Sequence, residues 1–164
     1  AATLSGVWGM YSGFELCEAT PVPGREEYLN SEKYEIKAWD WDRPGNIRDY
    51  IARLNRIRRD NPALHYSTNL RFYQAHDGNI LFYGKATAAG DNVIWIAVNL
   101  DPHVAHEAML ELPLHELQGG GQGGIEVEEL LHGDRMTWHG SSQRIRMDPS
   151  FNPCAIWRVS AQPL

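Results

Sequence analysis

A lysine and a tyrosine, Lys33 and Tyr34, stand side by side in the stretch YLNSEKYEIKAWDWD of residues 28–42. An ammonium group beside a phenol provides hydrogen-bond donors suited to an anion such as phosphate. Two tryptophans follow shortly afterwards, and indole faces suit the apolar side of a sugar ring. The other interpretation is that the lysine pairs with Glu32 or Glu35 while the tryptophans pack under a loop. The residues by themselves leave both interpretations open.

Two acids, Glu15 and Glu18, are candidates for the pair of carboxylates that a glycosidase places on either side of the bond it cleaves. Sequence spacing does not place these two side chains relative to each other. Acidic residues in a loop more often accept hydrogen bonds from backbone N–H groups. The glycosidase pair and the structural role are therefore both retained as interpretations.

The seven histidines form no HExxH motif and no cluster with cysteine, so we expect scattered surface histidines and no metal site. His103 and His106 are three residues apart, but they follow a turn and no acidic ligand pattern surrounds them. No serine lies in a GxSxG elbow. We therefore expect no complete catalytic machinery in this chain, no catalytic residue and no cofactor.

The composition limits the class of protein. With 43% hydrophobic and 10% aromatic residues in 164, the chain can bury a core. No apolar run reaches the roughly 18–20 residues of a membrane span, so we expect no membrane partner. The net charge is −6 and basic residues cluster only in 45–60, which argues against a nucleic-acid partner. Cys17 and Cys154 are too few and too distant for a disulfide scaffold, so two buried free thiols in a cytoplasmic protein are expected.

Residues 1–60 contain one irregular zone and one helix. Residues 1–44 are rich in turn residues, apart from VWGMY, which could form a short buried strand. Residues 46–60 predict a helix, because apolar side chains recur every three or four positions. Asn46 is the expected N-cap, and the arginines near the other end are expected to be solvated and to complement the helix dipole.

From Leu70 onward, seven or eight short strands with turns between them predict an antiparallel β-sandwich. The segment VIWIAVNL is apolar enough to be a central strand that is buried on both faces. The glycine tract QGGGQGG, residues 118–124, is expected to be a flexible loop. A phosphate-binding glycine loop would need a helix after it, and the following IEVEELL reads as a strand.

Three stretches, YSGFELCE, PGREEYLNSEKYEI and PGNIRDYIARLNRIRRDNPAL, closely resemble the alpha-1,4-glucan:maltose-1-phosphate maltosyltransferases of the alpha-amylase superfamily. ELLHGDRMTWHG and DPSFNPCAIWRV resemble the end of that family's C-terminal β-domain, so the match spans nearly the whole chain. The resemblance implies a mainly β fold. An antiparallel β-sandwich at 64–164 would follow the last strand, long loop and last helix of an incomplete (β/α)8 barrel at 1–63, with GMYSG as the eighth barrel strand.

The resemblance also implies a reaction. The family moves maltosyl units, with retention, from alpha-maltose 1-phosphate to the non-reducing end of an alpha-1,4-glucan. In the family the Lys-Tyr pair of SEKYE contacts the donor phosphate, which assigns substrate binding to Lys33 and Tyr34. The family's nucleophilic Asp and acidic Glu belong to earlier barrel strands, so this chain alone is expected to be inactive. The glycine tract and LSGVWGMY, where the family more often has a serine-proline-type turn, depart from the family pattern.

Two alternative functions are retained. The first is a non-catalytic carbohydrate-binding or structural sandwich. Trp95 and Trp157 are expected in the core and Trp138 is expected to be the most exposed of the three, although a core position is favoured overall. The second is the C-terminal part of an alpha-amylase-type glycoside hydrolase, which has no need of a Lys-Tyr phosphate loop. A strand and a helix without barrel neighbours would expose apolar side chains. The sandwich or a second copy of the chain, in a homodimer, would cover them.

Overall fold

The structure, a computed structural model, describes residues 1–29, 36–120 and 123–162. The chain forms two compact units. We call Trp8–Arg56 the loop unit, and we call Ala1–Val7 together with Ile57–Leu164 the sheet unit. The expected division between residues 63 and 64 stays a prediction. Among the described helices, none is both long enough and apolar enough to cross a membrane.

Helix α1 spans Arg48–Asp60, close to the predicted bounds. The Oδ1 atom of Asn46 accepts a hydrogen bond from Arg48 N–H at 3.2 Å, so this side chain caps the start of the helix as expected. Among the apolar side chains that recur at this spacing, Ile51 and Ile57 are buried, whereas Tyr50 is 44% exposed. The period of the apolar side chains therefore predicted the helix, but only part of its apolar face is buried.

Arg58, in the last turn of α1, differs from the expected solvated side chain. Its guanidinium donates to the backbone carbonyls of Ala2, of Ser5 at 3.1 Å and of Gly6 at 2.6 Å. Burial lowers the pKa of this guanidinium. Within the sheet unit, Arg58 therefore fastens the first residues of the chain to the end of the helix.

The described residues form eight strands: β1 Leu70–Tyr73, β2 Ile80–Ala86, β3 Val93–Asn99, β4 His106–Glu111, β5 Ile125–Glu129, β6 Arg135–Trp138, β7 Ser142–Met147 and β8 Cys154–Ala161. Six of them form an antiparallel sheet in the order β1-β2-β3-β8-β5-β6, and β4 pairs with β7 in a second antiparallel sheet. The apolar strand β3 is central, as predicted. The mainly β, antiparallel architecture is confirmed.

The main core is built from inward-facing side chains of both sheets, since alternate residues of a strand point to opposite faces. Trp95 is fully buried and Trp157 is 5% exposed, as expected. Trp138, expected to be the most exposed of the three, is 6% exposed and also lies in the core. Trp138 pairs with Ile125 across β5 and β6, and its ring meets that of Trp157 edge to face at 5.0 Å between centroids. The strand register therefore directs Trp138 into the core.

The other face of β2 and β3 is covered as well. Tyr83, Ile94 and Ile96 are at most 2% exposed, and the 3-10 turn Pro62–His65 contacts both strands. The Tyr83 hydroxyl lies 2.7 Å from Thr3 Oγ1 in a buried hydrogen bond. This second layer explains why β3 is apolar on both faces.

The segment VWGMY, residues 7–11, is not a strand, and Val7 at its start is 82% exposed. The expectation of a short buried strand, and of an eighth barrel strand at GMYSG, is therefore not met in this structure. A strand is stabilised by hydrogen bonds to a neighbouring strand. Within the described part of the chain, no strand pairs with residues 7–11.

The two cysteines are thiols, as expected, but they are not both buried. Cys154 is partly buried at the start of β8, whereas Cys17 is exposed. Cys17 ends the 3-10 turn Phe14–Leu16 with a positive φ of 54°. Its Sγ lies 3.5 Å from the carbonyl oxygen of Gly45.

Candidate functional site

Residues 20–29 form a short hairpin just before the predicted phosphate-binding pair. Val22 N–H donates to Glu27 O at 2.7 Å, and Leu29 N–H donates to Thr20 O at 2.8 Å. The turn-forming composition of this stretch, with two prolines and a glycine, suits a tight reversal of the chain. The hairpin ends at Leu29, the last described residue on this side.

The predicted substrate-binding residues Lys33 and Tyr34 lie outside the described residues, which resume at Ile36. On the far side of this interval, Lys37 donates from Nζ to the carbonyl oxygen of Leu29 at 3.2 Å. This hydrogen bond connects Leu29, the last described residue before the Lys-Tyr pair, to Lys37, which follows soon after the pair.

The two tryptophans of this segment each lie beside a cation. Lys37 Nζ is 4.9 Å from the ring centroid of Trp39, and the guanidinium of Arg48 is 5.9 Å from that of Trp41. Arg48 also donates to the carbonyl oxygen of Trp41. Trp39 also packs tightly on Gly13, where an added Cβ would lie 2.7 Å from the ring. Both indole rings therefore pack against neighbouring residues of the loop unit. Trp41 nevertheless remains 45% exposed.

An open cavity of about 330 Å³ adjoins the hairpin. It is lined by residues 8–12, Glu15 and Asn55. Tyr11 in its lining and Tyr28 in the hairpin have ring centroids 5.5 Å apart. A carboxylate, an amide and hydroxyl groups around one cavity can hydrogen-bond to the hydroxyls of a sugar.

Glu18 accepts hydrogen bonds from a backbone N–H and from an arginine, which fits the structural role that was one of the two interpretations of the sequence. Its carboxylate accepts a hydrogen bond from Thr20 N–H at 3.1 Å and pairs with Arg43 at 3.2 Å. The hydrogen bonds from Thr20, followed by Arg43, lower the pKa of Glu18 to about 2. Glu15 lines the cavity, while its backbone carbonyl accepts a hydrogen bond from Ile47 N–H at 2.8 Å. The structure therefore gives Glu18 a structural role.

One histidine is not a scattered surface group. His106, at the start of β4, lies between Asp77 and Asp101, which belong to two different loops. This cluster was not predictable from the sequence, because its members are up to 29 residues apart. Among the residues that the structure describes, no group of three or more acidic, histidine or cysteine side chains is suited to hold a metal ion.

This chain is similar to known sequences over nearly its whole length. The family model described as "GLGE, C-terminal" matches residues 72–159. A relative from Cereibacter sphaeroides, named "Alpha-1,4-glucan:maltose-1-phosphate maltosyltransferase", is 51% identical over 161 residues, which is 98% of this chain and 24% of the relative. The chain thus spans about a quarter of the length of this relative.

Two solved structures share the fold. A structure of AmyP in complex with maltotriose has a TM-score of 0.63 at 16% identity, covering 96% of this chain and 32% of the other. An alpha-amylase from Geobacillus thermoleovorans, complexed with acarbose, has a TM-score of 0.55 at 13% identity, covering 79% and 26%. At these identities the likenesses concern the fold alone, and they agree with the mainly β, antiparallel architecture described above.

Proposed function

Because the chain belongs to the family described as GLGE, C-terminal, we propose that it is the C-terminal part of an alpha-1,4-glucan:maltose-1-phosphate maltosyltransferase. The observation that carries this proposal is the identity, over nearly the entire chain, with a relative of that name. The alignment with this relative covers 98% of the chain and therefore includes both the loop unit and the sheet unit. The substrates we propose are accordingly alpha-maltose 1-phosphate as donor and an alpha-1,4-glucan as acceptor.

In the proposed reaction, a carboxylate elsewhere in the longer protein attacks the anomeric carbon of the donor, and a carboxylic acid protonates the departing phosphate oxygen. The non-reducing-end hydroxyl of the glucan then displaces the enzyme carboxylate and gives its proton to the former acid. The products are phosphate and a glucan longer by one maltosyl unit, with retained configuration. Since this chain supplies neither carboxylate, we propose that it is inactive when isolated.

The role we propose for Lys33 and Tyr34 is to bind the donor phosphate. The ammonium group supplies a positive charge and the phenol a directed hydrogen bond. Two observations on the described residues support this role. The Lys37 to Leu29 hydrogen bond joins the chain on either side of the pair, and the cavity beside the hairpin has groups able to bind sugar hydroxyls.

We also propose a cytoplasmic location and a homodimer. Both cysteines are thiols, which suits a reducing compartment. The loop unit exposes several apolar side chains, including Met10, Phe14 and Ile36, and a second copy would cover part of them. Cell fractionation tests the location, and sedimentation of the purified protein tests the dimer.

The proposed function is tested by measuring phosphate release from alpha-maltose 1-phosphate with the full-length protein and with the 164-residue chain. We expect release by the full-length protein that depends on added maltooligosaccharide, together with products longer by two glucose units. We expect none from the chain alone. Release of free maltose without chain extension would instead indicate a hydrolase and overturn the proposal. Phosphate release by the isolated chain would overturn the assignment of the chemistry to the rest of the protein.

A further inference from the structure

Glu18 and Arg43 stand at the two ends of the loop of residues 19–42, which contains the proposed phosphate-binding pair. Their side chains form an ion pair, with Nη1 of Arg43 3.2 Å from Oε2 of Glu18. Both residues belong to the loop unit. One ion pair therefore closes the loop at its base, and the function proposed above gives this pair no role.

On the side where the loop begins, Glu18 also holds the backbone. Its Oε1 accepts a hydrogen bond from Thr20 N–H at 3.1 Å, while its Oε2 accepts the bond from Arg43. The carbonyl oxygen of Thr20 in turn accepts a hydrogen bond from Leu29 N–H at 2.8 Å. The two oxygens of one carboxylate therefore connect the hairpin of residues 20–29 to Arg43.

On the side where the loop ends, Asn46 holds Arg43. Asn46 Nδ2 donates to the carbonyl oxygen of Arg43 at 2.7 Å, and Asn46 Oδ1 accepts from Arg48 N–H at 3.2 Å at the start of α1. Regular elements such as helices place side chains more accurately than loops do. Arg43, and Glu18 through it, are therefore fixed relative to the first turn of α1.

Further contacts join the two arms of the loop on either side of this ion pair. They include a backbone hydrogen bond of 2.8 Å, a thiol contact of 3.5 Å and a lysine hydrogen bond of 3.2 Å. The contacts follow one another in antiparallel order along the two arms: Glu15 with Ile47, Cys17 with Gly45, Glu18 with Arg43 and Leu29 with Lys37. The ion pair is thus one step of a ladder that holds the arms side by side.

The ion pair is partly shielded from water. The Glu18 side chain is 19% exposed and that of Arg43 is 43% exposed. The hydrogen bonds from Thr20, followed by Arg43, hold the pKa of Glu18 at about 2, so the carboxylate is charged at neutral pH. A pair with one well-exposed partner contributes less than a buried pair. Its removal is therefore expected to loosen the loop and not to unfold the protein.

We propose that Glu18 is a positioning residue for donor binding. Through Arg43 and Thr20 it holds together the two arms of the loop in which Lys33 and Tyr34 bind the donor phosphate. This inference rests on the proposed function, which supplies the role of that pair. Two side chains that bind one phosphate need accurate placement, and accurate placement depends on the residues that support them.

The test compares charge-neutralising variants of the full-length protein. Glu18→Gln keeps an oxygen that can accept from Thr20 N–H but loses the charge opposite Arg43. We expect the Kd for inorganic phosphate, measured by calorimetry, and the KM for alpha-maltose 1-phosphate each to rise about threefold to tenfold, with kcat changed less than about twofold. Removing a negative charge by itself favours anion binding, so weaker phosphate binding in this variant has the opposite sign to a simple charge effect.

Two further variants complete the comparison. Arg43→Gln changes the net charge in the opposite direction and should weaken phosphate binding by a similar factor, as expected for the two partners of one pair. Glu26→Gln is the matched control, because Glu26 is an exposed acid in the turn of the hairpin. It should leave the Kd for phosphate and the KM for the donor unchanged.

A double-mutant comparison separates positioning from a general loss of stability. In a Lys33→Ala, Tyr34→Phe background the proposed phosphate-binding groups are gone, so adding Glu18→Gln should change the Kd for phosphate less than about twofold. A further threefold to tenfold loss in this background would show that Glu18 acts independently of the pair, and it would overturn the positioning role.

The remaining outcomes distinguish this inference from the proposed function. Wild-type transfer with an unchanged Kd for phosphate in Glu18→Gln, or an equal rise in Glu26→Gln, would overturn the positioning role alone. A wild type that binds phosphate without transferring maltosyl units, and binds it more weakly after Glu18→Gln, would overturn the proposed function and support the positioning role. Thermal melting confirms that each variant is folded. Where Glu18→Gln lowers the Tm, Arg43→Gln carries the same test at a side chain that is 43% exposed.

Discussion

The imidazole of His106 lies between two carboxylates, with Nδ1 3.2 Å from Asp77 Oδ2 and Nε2 3.1 Å from Asp101 Oδ2. The amide of Asn79 is a third polar neighbour, 3.4 Å from Nδ1. Asp101 also accepts hydrogen bonds from the backbone N–H of His103 at 2.8 Å. A protonated imidazole can donate to both carboxylates at once, and it thereby joins the turn before β2 to the loop before β4.

The first prediction is that this cluster stabilises the fold at acidic to neutral pH and less at alkaline pH. The hydrogen bond with Asp101, followed by that with Asp77, raises the pKa of His106 above 6.5. Its contribution is therefore complete below about pH 6.5 and is lost as the pH rises through the raised value. The pKa values of Asp77 and Asp101 are lowered from 3.8, so their contributions are lost only as the pH falls through those lowered values.

Thermal melting of the wild type and of His106→Gln between pH 5 and pH 9 checks this prediction. We expect the difference in Tm between the two proteins to be largest near pH 5.5 and to shrink above neutral pH. His103→Gln is the control, since it keeps the backbone N–H that contacts Asp101. A Tm difference that stays constant across this range would contradict the role of His106 protonation.

A second prediction concerns the tie between the start of the chain and the end of α1. Arg58→Ala removes the donors to the carbonyls of Ala2, Ser5 and Gly6. A hydrogen bond that involves a charged group contributes about 1.5–3 kcal/mol, and the three do not add because one guanidinium makes them all and water can replace it in the variant. We expect a loss of about 2–3 kcal/mol in the free energy of unfolding, measured with urea, and faster amide exchange in residues 2–6. Arg59→Ala is the matched control, because Arg59 is 72% exposed and pairs with the adjacent Asp60. It should change stability by about 0.5 kcal/mol or less. Equal effects of both variants would refute the tie.

A third prediction is that Trp138 serves the core and not a sugar-binding surface. Trp138→Ala removes one partner of the edge-to-face pair with Trp157, and deleting a buried aromatic ring costs about 3–5 kcal/mol. The free energy of unfolding in urea measures this loss. Met136→Ala, on the same strand at a position that is 40% exposed, should cost about 1 kcal/mol or less. Quenching of Trp138 fluorescence by maltooligosaccharides would contradict the burial of its ring.

The strands could be predicted because the residues that indicate them lie close together in the sequence. Alternating apolar residues and the Asp-Gly-Asn turn at 77–79 predict β1 and β2 without reference to the rest of the chain. The environment of Trp138 was not predictable in the same way, because a single strand pattern does not state which face meets the core. The pairing of Ile125 with Trp138 decides that face.

The candidate site was less accessible to sequence reasoning. The cluster around His106 depends on two loops that come together only in the folded protein. Neither the sequence spacing of its members nor a motif therefore predicts it. For Glu18 the sequence favoured a role in loop structure but did not exclude catalysis, and the contacts with Thr20 and Arg43 assign the structural role. The role of Lys33 comes from resemblance to a family, because a lysine between two glutamates has an equally good local explanation.

A fourth prediction tests the packing beneath the hairpin. Gly13 has a φ of +89°, and an added Cβ would lie 2.7 Å from the ring of Trp39. Gly13→Ala should therefore destabilise the loop unit by about 1–3 kcal/mol and speed amide exchange in residues 8–29. Gly9→Ala is the control, since a Cβ there meets no described atom within 4 Å. Similar amide exchange rates in the two variants would mean that the Trp39 ring moves aside without a loss of stability.

The last prediction concerns Lys33 in the full-length protein. If its ammonium group binds the donor phosphate, Lys33→Ala should lower kcat/KM for alpha-maltose 1-phosphate about tenfold to a hundredfold, since a charge-assisted hydrogen bond contributes about 1.5–3 kcal/mol. Lys33→Arg should keep part of the activity because it keeps the charge. Arg25→Ala, which removes an exposed cation from the turn of the hairpin, is the control and should leave kcat/KM nearly unchanged. Equal losses in Lys33→Ala and Arg25→Ala would indicate a general electrostatic effect, whereas unchanged kinetics in Lys33→Ala would remove this residue from the phosphate site and favour its pairing with Glu32 or Glu35.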